Sequence, residues 1–349
     1  MARAPKSTST NAPFFSPSEA SLHDWKRAKE KGPISVCFFN NKGGVGKTTL
    51  VANLAATLAF NFGAKVLLVD ADPQCNLTQY ALQDEVFYST YDQKEVRDSI
   101  FQIVHPLSIG KGYTSHLPIR EVENFGLDMV IGDPRLALKE DLLAQDWRDA
   151  KSGGTRGLRT TFLFHDLIKR ADAYDFVFFD MGPSLGAINR SILLAVDHFV
   201  VPVSIDIFSL WALRNIGEAI SVWQRDLSTG MKLSEDPEEI PKNAGESISF
   251  LGYVTQQHKE KSVRGTTRVV EAYESIRKKL PVEINASLSP LSSIPFPNLH
   301  LGDIKHLASL APKSQTVHAP MTNVNLSGSY TSLRKQAREI YQGISEKFV

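Results

Sequence analysis

The chain has 349 residues, of which 42% are hydrophobic and 22% are charged, a composition typical of globular proteins that excludes collagen-like, coiled-coil and wholly disordered classes. Its apolar runs are far shorter than the roughly 18 residues needed to cross a bilayer, so we expect no integral membrane segment and a cytoplasmic protein. The formal charge of +1 means that any contact with nucleic acid must come from a local basic patch.

The N-terminal residues 1–32 are predicted to be an extension made of a disordered tail and a short helix. Residues 1–13 are rich in Ser, Thr, Ala, Pro and Asn with nothing periodic to bury, which is typical of a tail. Ser16-Pro17-Ser18-Glu19 then forms a capping box with Pro at the first helical position. We expect residues 33–349 to form one domain with surface insertions.

From residue 34 onward, short apolar strands alternate with helical stretches, which predicts a mostly parallel, doubly wound α/β sheet. The predicted strands are 34–40, 66–70, 127–131, 176–180, 198–203 and 248–254, with a short one near Ser293 and Ile294. The predicted helices are 47–62, 161–173, 185–196, 210–226, 266–280 and 332–347. Loops are predicted at 108–118, 152–157, 228–247 and 312–328.

A glycine-rich run lies between the first predicted strand and the helix that follows it. Such a loop lets backbone N–H groups converge on phosphates at a helix N-terminus, so we predict a nucleotide site here. Lys47 should reach the β- and γ-phosphates and the Thr48 hydroxyl should contact Mg²⁺. The predicted nucleotide-binding residues are Lys42, Gly43, Gly44, Val45, Gly46, Lys47, Thr48 and Thr49.

The start of this run departs from the ordinary phosphate-binding loop. Asn41 occupies the position of the first glycine, and a second lysine, Lys42, follows it. The sequence thereby resembles the deviant Walker P-loop NTPases of the ParA/Soj/MinD family, and most closely the ParA partition ATPases. In that family two subunits sandwich two nucleotides, so the resemblance implies an ATP-dependent homodimer. It also implies that Lys42 is catalytic in trans, much as an arginine finger is.

Two further motifs follow predicted strands. The run Asp70-Ala71-Asp72-Pro73-Gln74-Cys75-Asn76 is similar to the family motif D-x-D-P-Q-G-N, with Cys75 in place of glycine. By resemblance, Asp72 orients the attacking water and Asp70 lies near the metal shell. The apolar run 176–179 ends in Asp180 and continues as Met-Gly-Pro-Ser-Leu-Gly, which resembles the family's Walker B strand. The resemblance implies that the Asp180 carboxylate holds Mg²⁺ and that the activity is ATP hydrolysis.

The resemblance leaves the cargo open among DNA, membranes and protein assemblies. The best basic segment, residues 258–280, carries seven lysines and arginines against three glutamates. We therefore favour non-specific DNA binding in the ATP state, release after hydrolysis stimulated by a ParB-like partner, and location at the nucleoid. The candidate DNA-binding residues are Arg264, Arg268, Lys278 and Lys279.

Two alternatives stay open. The predicted last helix, residues 332–347, has an apolar stripe beside basic residues, so a MinD-like attachment to membranes is possible from sequence. An ATP-dependent metabolic ligase of the same superfamily is the other, although no motif here indicates a second substrate pocket. The chain has Ile294-Pro295-Phe296-Pro297-Asn298-Leu299 where some relatives often carry I-P-R-N-V-R, so the basic surface of those relatives is not predicted here.

Overall fold

A computed structural model describes residues 12–30, 32–93, 95–241, 248–256, 267–296, 298–307 and 309–349, with only the backbone described for 239 and 267–272. Its strands are β1 (Ile34–Phe38), β2 (Val66–Asp70), β3 (Arg120–Val122), β4 (Leu127–Val130), β5 (Phe176–Asp180), β6 (His198–Ser204), β7 (Ser249–Gln256) and β8 (His300–Ile304). They form one sheet in the order β3-β4-β2-β5-β1-β6-β7-β8. Only the β3–β4 pair is antiparallel among the described strand pairs, so the predicted doubly wound, mostly parallel sheet is confirmed.

Helices cover both faces of this sheet. Those of the first half are α1 (Glu19–Lys29), α2 (Lys47–Phe62), α3 (Asn76–Ala81), α4 (Asp84–Tyr91), α5 (Phe101–Ser108), α6 (Glu140–Lys151) and α7 (Thr155–Thr161). Those of the second half are α8 (Leu163–Arg170), α9 (Ala187–Leu193), α10 (Ile207–Leu233), α11 (Thr267–Ser287), α12 (Leu310–Thr316) and α13 (Tyr330–Phe348). Two large apolar clusters result, one on each side of the sheet.

The central strands β1, β2 and β5 lead, at their carboxyl ends, to the predicted nucleotide- and metal-site residues. Their residues alternate between the two apolar clusters: Val36 and Leu68 face one, and Cys37 and Leu67 face the other. This two-sided burial explains why these strands are nearly continuous in apolar residues. Because the three strands are adjacent and parallel, the chain segments that follow them meet at one edge of the sheet.

The prediction of a strand near Ser293 and Ile294 is wrong. The chain there makes a 3₁₀ turn and bends, and the last strand, β8, begins at His300. β8 lies at the sheet edge with the sequence His-Leu-Gly-Asp-Ile, so it lacks the continuous apolar run of a central strand. The predicted helix over 161–173 corresponds to α8, whereas α7 begins inside the predicted loop 152–157. The three-residue strand β3 was not predicted.

The terminal segments also differ in part from expectation. Ser18 rather than Ser16 caps α1, and its Oγ accepts from the Ser21 backbone N–H at 3.2 Å. Residues 1–11 lie outside the described part, so the predicted tail is untested there. The segment predicted as the loop 312–328 contains most of α12, and the predicted insertion 108–118 begins at the end of α5.

The C-terminal helix α13 packs its apolar stripe onto the sheet. Tyr341 is fully buried, Phe348 is 6% exposed, and the Phe348 ring lies 5.5 Å from that of Phe178. The stripe that the sequence left open as a membrane contact therefore belongs to the core. Among the described helices, none combines the length and apolar content needed to pass through a bilayer.

Candidate active site

The glycine-rich loop connects β1 to α2 and bends sharply before the helix. Gly44 and Gly46 both have φ of +75°, in the region that residues with a Cβ rarely adopt. A Cβ at Gly46 would also lie 3.0 Å from the Nε2 of Gln256, which ends β7. The left-handed backbone explains the glycine at position 46, and a larger residue there would also require the Gln256 side chain to shift. The loop leads directly into the N-terminus of α2, where backbone N–H groups favour an anion.

Lys47 lies below the loop as a buried cation. The residue is 8% exposed, and its Nζ donates to the carbonyl oxygens of Asn40 at 3.2 Å and Lys42 at 3.4 Å. Burial lowers the pKa of Lys47, while the nearby carboxylates of Asp180 and Asp72 oppose that shift. The ammonium group is thus held in place by backbone atoms at the position where the sequence predicts phosphates.

Thr48 and Asp180 form the predicted metal pair. The Thr48 hydroxyl donates to Asp180 Oδ2 at 2.7 Å, at the point where β5 ends. The other oxygen, Oδ1, is buried and has no hydrogen-bond partner among the described residues. Burial, and then the charge of Asp70, raises the pKa of Asp180 well above its usual value. A carboxylate with a free oxygen beside a hydroxyl fits Mg²⁺, which takes few protein ligands together with phosphates and water.

Asp70 and Asp72 have different surroundings. Asp70 is fully buried, and its Oδ2 accepts from the backbone N–H of Thr78 at 2.8 Å and from its hydroxyl at 2.6 Å. Burial raises its pKa to about 7. Asp72 lines the cleft and accepts from the Gln74 N–H at 3.0 Å. Asp70 therefore braces the turn after β2, whereas Asp72 faces the cleft.

The two departures from the family motifs lie beside this turn. Cys75, at the usual glycine position, adopts φ of +55° and precedes the first residue of α3. Left-handed backbone costs a residue with a side chain about 1 kcal/mol, so this turn is strained relative to glycine. A Cβ on Gly182 would lie 3.3 Å from Asp72 Oδ1. Cys37 and Cys75 are both buried and unbridged.

Lys42 is paired within its own chain. Its Nζ forms an ion pair with Asp206 and donates to Ser204 Oγ at 3.1 Å. Asp206 caps α10 by accepting from the N–H groups of Phe208 at 3.0 Å and Ser209 at 3.1 Å. Burial acts to raise the pKa of Asp206, but the hydrogen bonds from Lys42 and Ser204 outweigh it and the pKa is lowered. Asp206 is not among the site residues predicted from the sequence, although an Asp two residues before a Phe-Ser-Leu helix start is a recognisable cap.

A cleft of about 780 Å³ continues from the glycine loop toward α3, α4 and α12. His318, with φ of +49°, joins these elements: one ring nitrogen lies 3.1 Å from the Gln79 carbonyl and the other 3.2 Å from Asp84 Oδ1. Tyr80 bonds Ser314 at 2.9 Å. No motif predicted this end. Its walls are Asn76, Gln79, Tyr80, Asp84, Pro312, Gln315, Thr316 and His318.

The four candidate DNA-binding residues are not assembled into a described surface. Lys278 and Lys279 are exposed on α11 and line a groove between α10 and α11. Arg268 lies in α11, but its side chain is not among those described, and Arg264 lies outside the described residues. The DNA contacts therefore stay a prediction.

Comparison with protein families matches residues 34–233 to a family described as "AAA domain". The chain is 29% identical to a probable plasmid-partitioning protein ParA of Thermus thermophilus, over 75% of this chain and 67% of that protein. It is 30% identical to the chromosome-partitioning ATPase Soj of Treponema pallidum, over 57% of this chain and 68% of that protein. It spans 62% and 63% of the length of two further relatives.

Solved structures give the same picture of the fold. A Corynebacterium diphtheriae protein, DIP2308, superposes with a TM-score of 0.67 at 31% identity, covering 82% of this chain and 97% of that one. A plasmid partition protein of Borrelia burgdorferi, bound to AMPPNP and described as putative, superposes with a TM-score of 0.54 at 19% identity. That pair covers 90% of this chain and 98% of the other. At this identity the second likeness concerns the fold alone.

Proposed function

The chain belongs to the ParA family of P-loop ATPases, and from that premise we propose that it is an ATP-driven partition switch. In the proposed cycle, ATP and Mg²⁺ bind in the cleft and two copies of the chain associate face to face. The dimer binds DNA without sequence preference, and hydrolysis stimulated by a ParB-like partner releases it. The protein would act in the cytoplasm at the nucleoid, moving a plasmid, a chromosome or another cargo.

One observation carries the nucleotide part of this proposal: beside the Thr48 hydroxyl, Asp180 has a buried oxygen with no partner among the described residues, below a loop that ends in the buried cation Lys47. In the proposed complex, Lys47 binds the β- and γ-phosphates, and backbone N–H groups from Gly43 to Thr49 surround them. Thr48 and Asp180 would hold Mg²⁺. The metal would supply positive charge to the phosphate oxygens.

The catalytic part of the proposal rests on Asp72 and Lys42. Asp72 lines the cleft close to Gly182, so its carboxylate is suited to orient a water near the end of a phosphate chain. Lys42 would leave Asp206 and neutralise charge on the phosphates bound by the partner copy. Dimerisation and hydrolysis would thereby be linked, since neither copy carries the complete set of charges alone.

Non-specific DNA binding is the reading favoured for the ATP-bound dimer, with Arg264, Arg268, Lys278 and Lys279 as candidates. Doubling a basic patch on dimerisation would roughly double the number of phosphate contacts, and the salt dependence would steepen accordingly. A MinD-like attachment through α13 is disfavoured because the apolar stripe of that helix is buried. No observation favours a metabolic ligase.

The decisive test measures DNA retention of the wild type in ATP, in ADP and without nucleotide at two salt concentrations. Retention in ATP alone, weakening steeply with salt, is expected. Phosphate release should be slow for the protein alone and faster when DNA and a ParB-like protein are present. Retention independent of nucleotide would refute the DNA switch. A monomeric Asp72→Ala protein in saturating ATP would refute the coupling of dimerisation to ATP, because that variant should accumulate as a dimer.

A further inference from the structure

The loop between β5 and α9, residues 181–186, contributes to the wall of the cleft. Pro183 lines the cleft together with Asp72. A Cβ on Gly182 would lie 3.3 Å from Asp72 Oδ1, so the loop backbone closely approaches that carboxylate. Because glycine has more backbone freedom than any residue with a side chain, this spacing depends on contacts that hold Gly182 from outside.

One buried side chain supplies those contacts. Asn189, in the first turn of α9, is 3% exposed, and its Nδ2 donates to the carbonyl oxygens of Gly182 at 2.8 Å and Ser184 at 2.6 Å. A side-chain amide has two N–H donors, so these two bonds use both of them. The Ser184 Oγ lies 3.3 Å from the same nitrogen. Asn189 therefore holds the loop on both sides of Pro183.

Helix α9 is anchored to its neighbours. Glu140 of α6 accepts from the first two backbone N–H groups of α9, the second of them, that of Ile188, at 3.3 Å. The guanidinium carbon of Arg190 lies 4.6 Å from the Trp147 ring centroid and 5.8 Å from that of Trp223, within the range of cation–π contacts. The helix that carries Asn189 is thus tied to both α6 and α10.

We propose that Asn189 is a positioning residue for ATP hydrolysis, which holds Gly182 and Ser184 so that the loop and Asp72 together enclose the attacking water. This inference rests on the proposed function, in which Asp72 orients that water. It adds the side chain that sets the spacing between Asp72 and the loop. Asn189 is not among the described residues that line the cleft, so it acts through the loop and not on the nucleotide.

The test uses the full chain with Asn189→Ala, which removes both donors and adds no bulk. Phosphate release is measured in saturating ATP and Mg²⁺, at protein concentrations where the rate per chain no longer rises, so that association does not limit it. The kcat should fall by about 10- to 100-fold, because a misplacement of about 1 Å can cost about 100-fold. ATP affinity from calorimetry should change by less than about threefold, since the groups proposed to contact the phosphates are unchanged.

Gly182→Ala alters the same spacing and leaves Asn189 intact, so it tests the inference even if Asn189→Ala does not fold. The added methyl group would lie 3.3 Å from Asp72 Oδ1, so the carboxylate or the loop must shift. The kcat should fall while ATP affinity is kept. The double variant should lose less than the product of the two single losses, because both changes act on one spacing. A Gly182→Ala protein with the kcat of the wild type, or losses that multiply in full, would overturn the inference.

The matched control is Asn61→Ala. Asn61 also bonds the backbone, since its Nδ2 donates to the Thr57 carbonyl at 2.9 Å and its Oδ1 accepts from the Phe14 N–H at 2.9 Å, but it lies in the last turn of α2. It should lower the thermal stability and leave kcat unchanged.

The outcomes separate the inference from the proposed function. An Asn189→Ala protein with the kcat of the wild type would overturn the inference and leave the proposed function standing. So would one whose ATP affinity falls as far as its kcat, because Asn189 would then support binding and not the placement of water. A wild type that releases no phosphate, even with DNA and a ParB-like protein present, would overturn the proposed function and the inference with it.

Discussion

The two lysines of the glycine loop lie five residues apart and have opposite surroundings. Lys47 is buried and contacts only backbone carbonyl oxygens among the described hydrogen bonds, so its position is set before any ligand arrives. Lys42 is partly exposed and paired with a carboxylate. Binding at Lys47 requires no exchange of ion partners, whereas any use of Lys42 on phosphate must first break the pair with Asp206. The loop thus combines a fixed cation with a movable one.

Removing each lysine in turn should separate their roles most strongly. Lys47→Ala should lower ATP affinity at least about 30-fold, because deleting one partner of a buried charged contact costs about 2–5 kcal/mol. Lys42→Ala should leave ATP affinity of the monomer within about threefold, because this ammonium group is paired elsewhere in the single chain. Calorimetry at protein concentrations that keep both variants monomeric measures this. Equal losses in the two variants would contradict the distinction between fixed and movable cations.

The raised pKa values of the carboxylates near Lys47 predict how the stability of the fold depends on pH. Burial raises the pKa of Asp70 to about 7 and that of Asp180 well above its usual value. The folded protein therefore retains protons that the unfolded chain has lost, so its free energy of unfolding should fall as pH rises from 5 to 8. The drop should be about 2–3 kcal/mol for Asp70 alone.

Urea unfolding of the nucleotide-free protein at several pH values measures this slope. Asp180→Asn should reduce the slope, since a neutral amide does not titrate. The control Asp141→Asn should keep the slope, because Asp141 is exposed in the first turn of α6. A stability that rises between pH 5 and 8 would show that the carboxylates are charged in the folded apoprotein.

A substitution at the far end of the cleft leaves the contacts of both lysines unchanged. His318→Ala removes the contacts to the Gln79 carbonyl and to Asp84. Both contacts lie within the protein and fix the wall of the cleft, and each is worth about 0.5–1.5 kcal/mol. Because ATP must then order a looser wall, we expect its affinity to fall by up to about tenfold, the worth of one such bond. ADP affinity should fall by the same factor, because this end lies away from the terminal phosphate. Titrations with both nucleotides measure the ratio, and a loss confined to ATP would contradict this location.

How far the sequence predicts this site depends on what forms each part. The bounds of β2, β5 and α2 were predicted to the residue, because the strands are continuously apolar and buried and each ends in Asp. The predicted phosphate-binding end of the cleft can therefore be located from such contiguous runs of sequence. The far end is formed by α3 and α4 on one side and by α12 with the segment after it on the other. These two parts lie more than 230 residues apart in the sequence and meet through His318 and Tyr80. Pairings of this kind leave no local periodicity to find.

The smallest predicted effect concerns the movable cation. Asp206→Asn keeps a side chain that caps α10 but removes the charge that holds Lys42. Partly exposed ion pairs are worth at most about 1 kcal/mol, so the ATP-dependent dimer should become tighter by up to about fivefold. Sedimentation in ATP measures this, and thermal unfolding checks that the cap persists. If the dimer becomes weaker while the cap remains, Asp206 must stabilise the associated state itself, and Lys42 would then act while still paired.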